Sequence, residues 1–305
     1  MVFDVYFVQQ IINGLSVGLV YALVAIGFTL IFGVLNVVNF AHGEVFTLGS
    51  FAGLFLITAF APPLLVVVLV VLAVGAFLGF GLERIAFKPF RRFRDEASIK
   101  SRAMREATLL SSLAVSIIVR ELLDLAFGGE MQTIPQSYLL QDSITVGGLS
   151  ITNGNVIIFV SSVIMLGALQ WLLFRTRIGL SIRAVSNNVL GAQYVGIDTD
   201  RTIIATFAVG SMLGAVAGIM VGLYDGAIFP QMGFNPGVKA FVAMVMGGLS
   251  SIPGAVVCSL LLGVSESIAT EFFSAGWQDL IAYSFLVVTL IFFPQGIFGH
   301  GRDRF

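Results

Sequence analysis

Arg175-Thr-Arg-Ile-Gly-Leu-Ser-Ile-Arg-Ala-Val-Ser-Asn-Asn-Val-Leu-Gly-Ala-Gln-Tyr-Val-Gly-Ile-Asp-Thr-Asp-Arg201 is the stretch that decides how this chain folds. It separates two uncharged apolar runs, residues 156–174 and 202–224. Each run has the length of a membrane-crossing helix, which needs about 20 residues. The polar stretch between them is longer than a hairpin requires. Its four arginines place it on the cytoplasmic side, because short basic loops stay inside. Residues 181–194 lack proline and contain one glycine, so they read as a short helix with Arg183, Asn187 and Gly191 along one side. Gly196 then stands where a C-cap belongs. Two readings fit this pattern: a helix across the inner mouth of a bundle, pushed by a soluble partner, or a solvated loop with one helical turn.

The composition agrees with a membrane setting. Of 305 residues, 57% are hydrophobic and 11% are charged, and the mean hydropathy is +1.00. A globular chain carries about 25% charged residues. The reading is an all-α, polytopic integral membrane helical bundle of about eight to ten transmembrane helices, forming a single transmembrane domain over residues 1–305. The net charge of −1 says nothing about partners; basic residues gather in short loops, which fits lipid headgroups and no nucleic acid. Cys258 is the single cysteine, so there is no internal disulfide and no cysteine metal cluster. The N-terminus lacks a basic leader, so the first apolar run reads as a retained span.

Outward from the central stretch, the spans fall in order. Residues 5–35 carry no charge and hold a first span around 9–31. Gly33-Val-Leu-Asn36-Val-Val-Asn39-Phe-Ala-His42-Gly43-Glu44 then interrupts the apolar sequence, predicting a broken helix near 36–44. Spans follow at 45–60, ended by Pro62-Pro63, and at 64–82. Residues 83–106 carry two lysines and six arginines against four acids, a second cytoplasmic anchor. A span at 107–127 leads to a polar, nearly base-free stretch at 128–155 that reads as external, with a hairpin around Gly147-Gly148. Gly210, Gly214, Gly218 and Gly222 form a ridge of small residues at fourth-residue spacing, suited to close helix packing. Residues 240–265 are uncharged but interrupted by Gly247-Gly-Leu-Ser-Ser-Ile-Pro253-Gly254, predicting a second broken helix near 247–254. Irregular backbone at membrane depth is tolerated only where protein or a water-filled path satisfies it. A last span at 280–298 precedes a basic tail with Arg302 and Arg304.

The chemistry excludes as much as it includes. No phosphate-loop motif occurs, and Lys88, Lys100 and Lys239 lack its glycine context, so the chain binds no ATP of its own. His42 and His300 lie far apart and make no metal set. With no nucleophile motif either, the chain reads as a non-enzyme. Ionisable groups inside a membrane are costly and mark pathways or partners. By that rule Asn39, His42, Glu44 and Lys239 are translocation-pathway candidates. Glu121, Asp124 and Asp225 sit at span ends and read as interfacial.

Three motifs in order then resemble a known family. Asn39-Phe-Ala-His-Gly-Glu44, the central stretch from Arg183-Ala through Ala192-Gln-Tyr-Val-Gly-Ile-Asp-Thr-Asp-Arg201, and Gly247-Gly-Leu-Ser-Ser-Ile-Pro-Gly-Ala255 are similar to the permease subunits of branched-chain amino acid ABC importers, the shorter of the two. Urea and amide importer permeases are close relatives. The resemblance implies a heterodimer with a second homologous permease, two cytoplasmic ATPases that bind ATP and Mg, and an external substrate-binding protein. It also implies that the central stretch is the coupling helix docking into an ATPase. That role would fall on Arg183, Ala184, Asn187, Asn188, Ala192 and Gly196. The stretch departs from the general coupling motif Glu-Ala-Ala-x-x-x-Gly. The alternative from another class is a self-sufficient secondary transporter using Glu44 or His42 for ion coupling.

Overall fold

The computed structural model describes residues 2–90, 102–140, 142–146, 149–274 and 276–299. Most of the basic loop, residues 91–101, lies outside them, as do Gly147, Gly148, His300 and the tail arginines Arg302 and Arg304. The chain is a helical bundle. Its helices are α1 (Val2–Leu35), α2 (His42–Phe60), α3 (Leu64–Leu82), α4 (Arg102–Phe127), α5 (Asn153–Arg175), α6 (Arg177–Asn187), α7 (Val189–Tyr194), α8 (Thr199–Asp225), α9 (Phe234–Gly247), α10 (Ile252–Phe272) and α11 (Trp277–Phe292). Four short strands make two small antiparallel pairs. Gln132–Thr133 (β1) pairs with Ala227–Ile228 (β4), and Ser143–Val146 (β2) pairs with Leu149–Thr152 (β3) as the expected hairpin.

Among the described residues six helices, α1, α2, α3, α5, α8 and α10, are long and apolar enough to cross a membrane. α4 has the length but carries Arg120, Glu121 and Asp124 in its second half, and α9 and α11 have only 14 and 16 residues. The eight to ten spans expected from the sequence thus divide into six full-length helices and three that fall short in length or apolarity.

α1 and α8 form the buried axis. In α1 83% of the most apolar window is interior and in α8 72%, against 22% for α3 and for α5. The close packing rests on small residues. A methyl placed on Gly14 would lie 2.5 Å from the Val264 Cα, and one on Gly18 2.8 Å from the Leu260 Cα, so α1 and α10 cross antiparallel, backbone on backbone. α3 meets α8 the same way, Gly79 at the Phe207 carbonyl and Gly75 at Ser211. The ridge on α8 fills its other side: Gly210 faces the Gly27 backbone, Gly214 the His42 ring, Gly218 the Phe46 carbonyl and Gly222 the Ile228 side chain. Small residues at such crossings let dispersion act over the whole helix surface, which is what holds helices together in lipid.

Both expected breaks are present, with shifted bounds. The first covers only residues 36–41. Asn36 takes a left-handed φ of 53° to end α1, a conformation asparagine tolerates. His42 and Glu44, expected within the break, instead form the first turn of α2, where the acid complements the helix N-terminus. The second break lies at residues 248–251. Gly248 has a φ of 100°, which a side chain would resist. Ser251 caps α10 by accepting from the Gly254 N–H at 3.2 Å, with Pro253 in the first turn. α9 begins at Phe234, six residues before the expected run at 240, because Lys239 is buried in a paired state and does not mark an end.

The ends of α1 orient the molecule. At its N-terminal end Gln9 exchanges two hydrogen bonds with Ser150 of the hairpin, at 2.8 and 2.9 Å. Near its C-terminal end Gly33 lies against Ser186 of α6. The hairpin and the central polar stretch are therefore on opposite faces, as their charge content predicts.

Candidate functional site

The central stretch is an elbow of two helices, and the single helix expected over 181–194 is divided at Asn188. Asn188 is extended, with φ −155°, and its Oδ1 accepts from the Gly191 N–H at 2.9 Å, capping α7. Asparagine prefers this local bond to continuing a helix. α6 starts earlier than expected, at Arg177, where the Thr176 hydroxyl accepts from the Gly179 N–H at 3.1 Å. α7 closes as a Schellman turn. Ile197 N–H reaches the Ala192 carbonyl at 2.9 Å, Gly196 N–H reaches Gln193 at 3.0 Å, and Gly196 has the left-handed φ of 83° that the motif needs.

The elbow has two faces. Gly179, Ile182 and Val185 of α6 turn inward together with Ala192 of α7. Arg183, Asn187, Asn188 and Gly196 are exposed, and Ala184 is half-buried. The Arg183 guanidinium sits 4.7 Å from the Phe174 ring centroid. Ala192, named from the sequence as part of the outward surface, is 4% exposed and joins the core. The outward apolar groups are instead Ile178, Leu180, Tyr194 and Val195, the last two 87% and 76% exposed. Their signal in the sequence was the pair itself: two apolar residues just before a C-capping glycine on a segment outside the membrane.

The polar break forms a second group. Asn39 is buried; its Oδ1 accepts from the Ala41 N–H at 3.1 Å, and its Nδ2 has no hydrogen-bond partner among the described residues. The His42 ring is fully buried, fitted between Gly27 of α1 and Gly214 of α8 and meeting Phe28 edge-on at 4.8 Å. It lies near the Val24 carbonyl, yet neither ring nitrogen makes a hydrogen bond of ordinary geometry. Glu44 is buried and accepts from the Ser116 hydroxyl of α4 at 2.9 Å. Thr47, one turn on, accepts from the Gly233 N–H at 3.1 Å, which ties the start of α9 to the start of α2.

Lys239 belongs to a different group. Its Nζ lies 3.1 Å from Glu266 Oε2 of α10 and 3.3 Å from Asp279 Oδ1 of α11. The Tyr21 hydroxyl of α1 donates to the same Glu266 Oε2 at 2.9 Å, and the ammonium stands 5.9 Å from the Tyr21 ring centroid. The structure thus keeps Asn39 in the break, sends His42 between α1 and α8 and Glu44 to α4, and sets Lys239 in a four-residue polar cluster across four helices. Sequence reasoning missed Glu266, which stands one residue beyond an uncharged run and 27 residues from its partner. An intramembrane lysine calls for a buried acid, and that was the available signal.

Comparison with known proteins fits this architecture. A family model described as branched-chain amino acid transport system, permease component, matches residues 10–292. The high-affinity branched-chain amino acid transport system permease protein LivH of Escherichia coli strain K12 is 33% identical over 307 residues, covering 96% of each chain. BraD of Pseudomonas aeruginosa, of the same description, is also 33% identical with 96% of each chain covered. A probable LivH of Methanocaldococcus jannaschii is 28% identical over 287 residues, 91% of this chain and 88% of that one. With six helices among its described residues long and apolar enough to cross a membrane, this multi-pass membrane protein belongs to the family of branched-chain amino acid transport system permease components.

Proposed function

We propose that the chain is one half of the membrane pathway of an ATP-binding-cassette importer for leucine, isoleucine and valine in the inner (plasma) membrane. The observation that carries this is its full-length identity with permeases described as branched-chain amino acid transporters. In this reading a second, homologous permease pairs with it, two cytoplasmic ATPases bind ATP and Mg, and an external binding protein delivers the substrate. The chain catalyses no reaction itself. The elbow α6–α7 takes the force. Its exposed Tyr194 and Val195, carried on a capped and rigid turn, suit an apolar ATPase groove, and its buried face rests on α1 through Ser186 and Gly33. A push on the elbow therefore reaches the axis of the bundle directly.

The test is reconstitution of the permease pair, ATPases and binding protein in liposomes with ATP inside. Radiolabelled leucine should accumulate only with ATP and binding protein. Accumulation of leucine driven by an ion gradient without ATP would establish the secondary-transporter reading. Uptake of urea in place of leucine would move the substrate to the amide group.

A further inference from the structure

The buried cluster around Lys239 has one feature that packing does not explain. It holds two carboxylates, Glu266 and Asp279, against one ammonium. Glu266 is 2% exposed, and both the Lys239 and Tyr21 donors converge on its Oε2. Its Oε1 is buried with no hydrogen bond among the described residues. An acceptor left bare in the interior is costly, about 1–3 kcal/mol and more when charged. Lysine has three N–H donors, and the recorded contacts of Lys239 engage two. The cluster therefore presents a bare anionic acceptor beside a cation with a donor to spare.

Its place in the fold is equally specific. Tyr21 lies midway along α1 between Gln9, which touches the hairpin on one face, and Gly33, which touches the elbow on the other. Glu266 stands nearer the hairpin face, since Gly14 of α1 crosses Val264 and the Ser267 hydroxyl donates to Gln10 at 2.8 Å, so the cluster runs from the middle of α1 toward the hairpin end of the bundle. The Asp279 side chain is 50% exposed on α11 while its partners are enclosed.

We propose that Glu266, Lys239 and Asp279 form a station in the hairpin-side half of the bundle for a zwitterionic α-amino acid on its way through. The substrate ammonium binds Glu266 Oε1, and its carboxylate binds the third N–H of Lys239. Asp279 is the entrance, holding the lysine to one side until the substrate carboxylate competes for it. Tyr21 fixes the Glu266 carboxylate so that Oε1 faces the incoming group. The proposal rests on the transport function above and names the chemistry that the path itself recognises.

The experiment uses the reconstituted complex with leucine as probe. Replacing a buried ion pair by neutral groups of like volume is often harmless to folding. Lys239→Met with Glu266→Gln should therefore assemble with its ATPases, while leucine uptake falls by roughly tenfold or more, the loss expected from one charged hydrogen bond. Asp279→Asn, at the exposed edge, should assemble fully and transport several-fold more slowly. A second readout separates recognition from scaffolding: binding to the complex without its binding protein. L-leucine should bind the parent roughly tenfold more tightly than 4-methylpentanoate, which lacks the ammonium, and Glu266→Gln should abolish that difference. Parental uptake in the double variant or in Asp279→Asn would overturn the proposal. So would a preference for leucine that survives Glu266→Gln. If the parental complex takes up no leucine at all, the transport reading fails first and the station falls with it.

Discussion

Glycines in this chain differ by what stands opposite them. Gly263 faces the Gly18 backbone, and a methyl there would press on the Gly18 amide and the Gly14 carbonyl. Gly167, on the outer side of α5, has nothing within 4 Å. Gly263→Ala should destabilise by roughly 1–3 kcal/mol, because the backbones must separate. Gly167→Ala should be neutral or stabilise by up to about 1 kcal/mol through helix propensity. Thermal unfolding of the two variants in detergent checks both, and equal shifts would mean that α1 and α10 do not cross as described. Gly214 is the intermediate case. Its methyl would reach 3.4 Å from His42 Nε2, so Gly214→Ala should fold while Gly214→Leu displaces the ring and lowers the yield of assembled complex. The sequence displayed the α8 ridge as a strict period of four. It displayed Gly14 and Gly18 at the same spacing, but their partner Gly263 lies in another helix, and no local pattern announces a contact across the whole chain. Glu266 escaped for the same reason: a buried pair is a property of two distant positions.

At the scale of elements, the central stretch tests how far pattern reading goes. Its helical character and the Gly196 cap were legible, since absence of proline and glycine position are local facts. The division at Asn188 was not, because Asn-Asn in a short helix reads equally as surface residues or as a cap. The division changes which residues face a partner. Ala192→Glu places a charge in the core and should lower the amount of folded permease, so it is a poor test of coupling. Tyr194→Glu with Val195→Glu alters only exposed groups. These variants should leave the bundle intact and reduce ATP-driven uptake by about tenfold or more, as loss of an apolar anchor from an interface does. Copurification of the ATPases and leucine uptake are the measurements; normal values for both would remove the elbow from the coupling route. Asn188→Ala should cost about 1 kcal/mol through loss of the cap, read as a modest drop in melting temperature.

At the scale of the molecule, the sides of the membrane follow from a few contacts. The basic content of the elbow predicts that it lies inside, and the rest of the orientation follows from that expectation. α1 joins the elbow near Gly33 and the hairpin at Gln9, so its N-terminal end is outside. α10 runs antiparallel to α1, which places Ile252 inside and Phe272 outside. α11 then returns inward, and its end is held there: Ile297 N–H donates to the Met246 carbonyl at 2.8 Å, beside the inner turn at 247–251. An outside N-terminus and an inside C-terminus require an odd number of crossings. The sequence left this open, because each break was legible as either a kink or a turn, and only tertiary contacts decide between them. Three variants test the result in intact cells. A fluorescent protein fused after Phe305 should fluoresce, since it folds in the cytoplasm. Ser143→Cys, on the exposed hairpin, should react with an impermeant maleimide from outside, while Val195→Cys should react only after the membrane is opened. The native Cys258 is fully buried and should stay silent throughout. External labelling of Val195→Cys would invert the molecule, put the elbow out of reach of any ATPase, and remove the coupling mechanism along with the orientation.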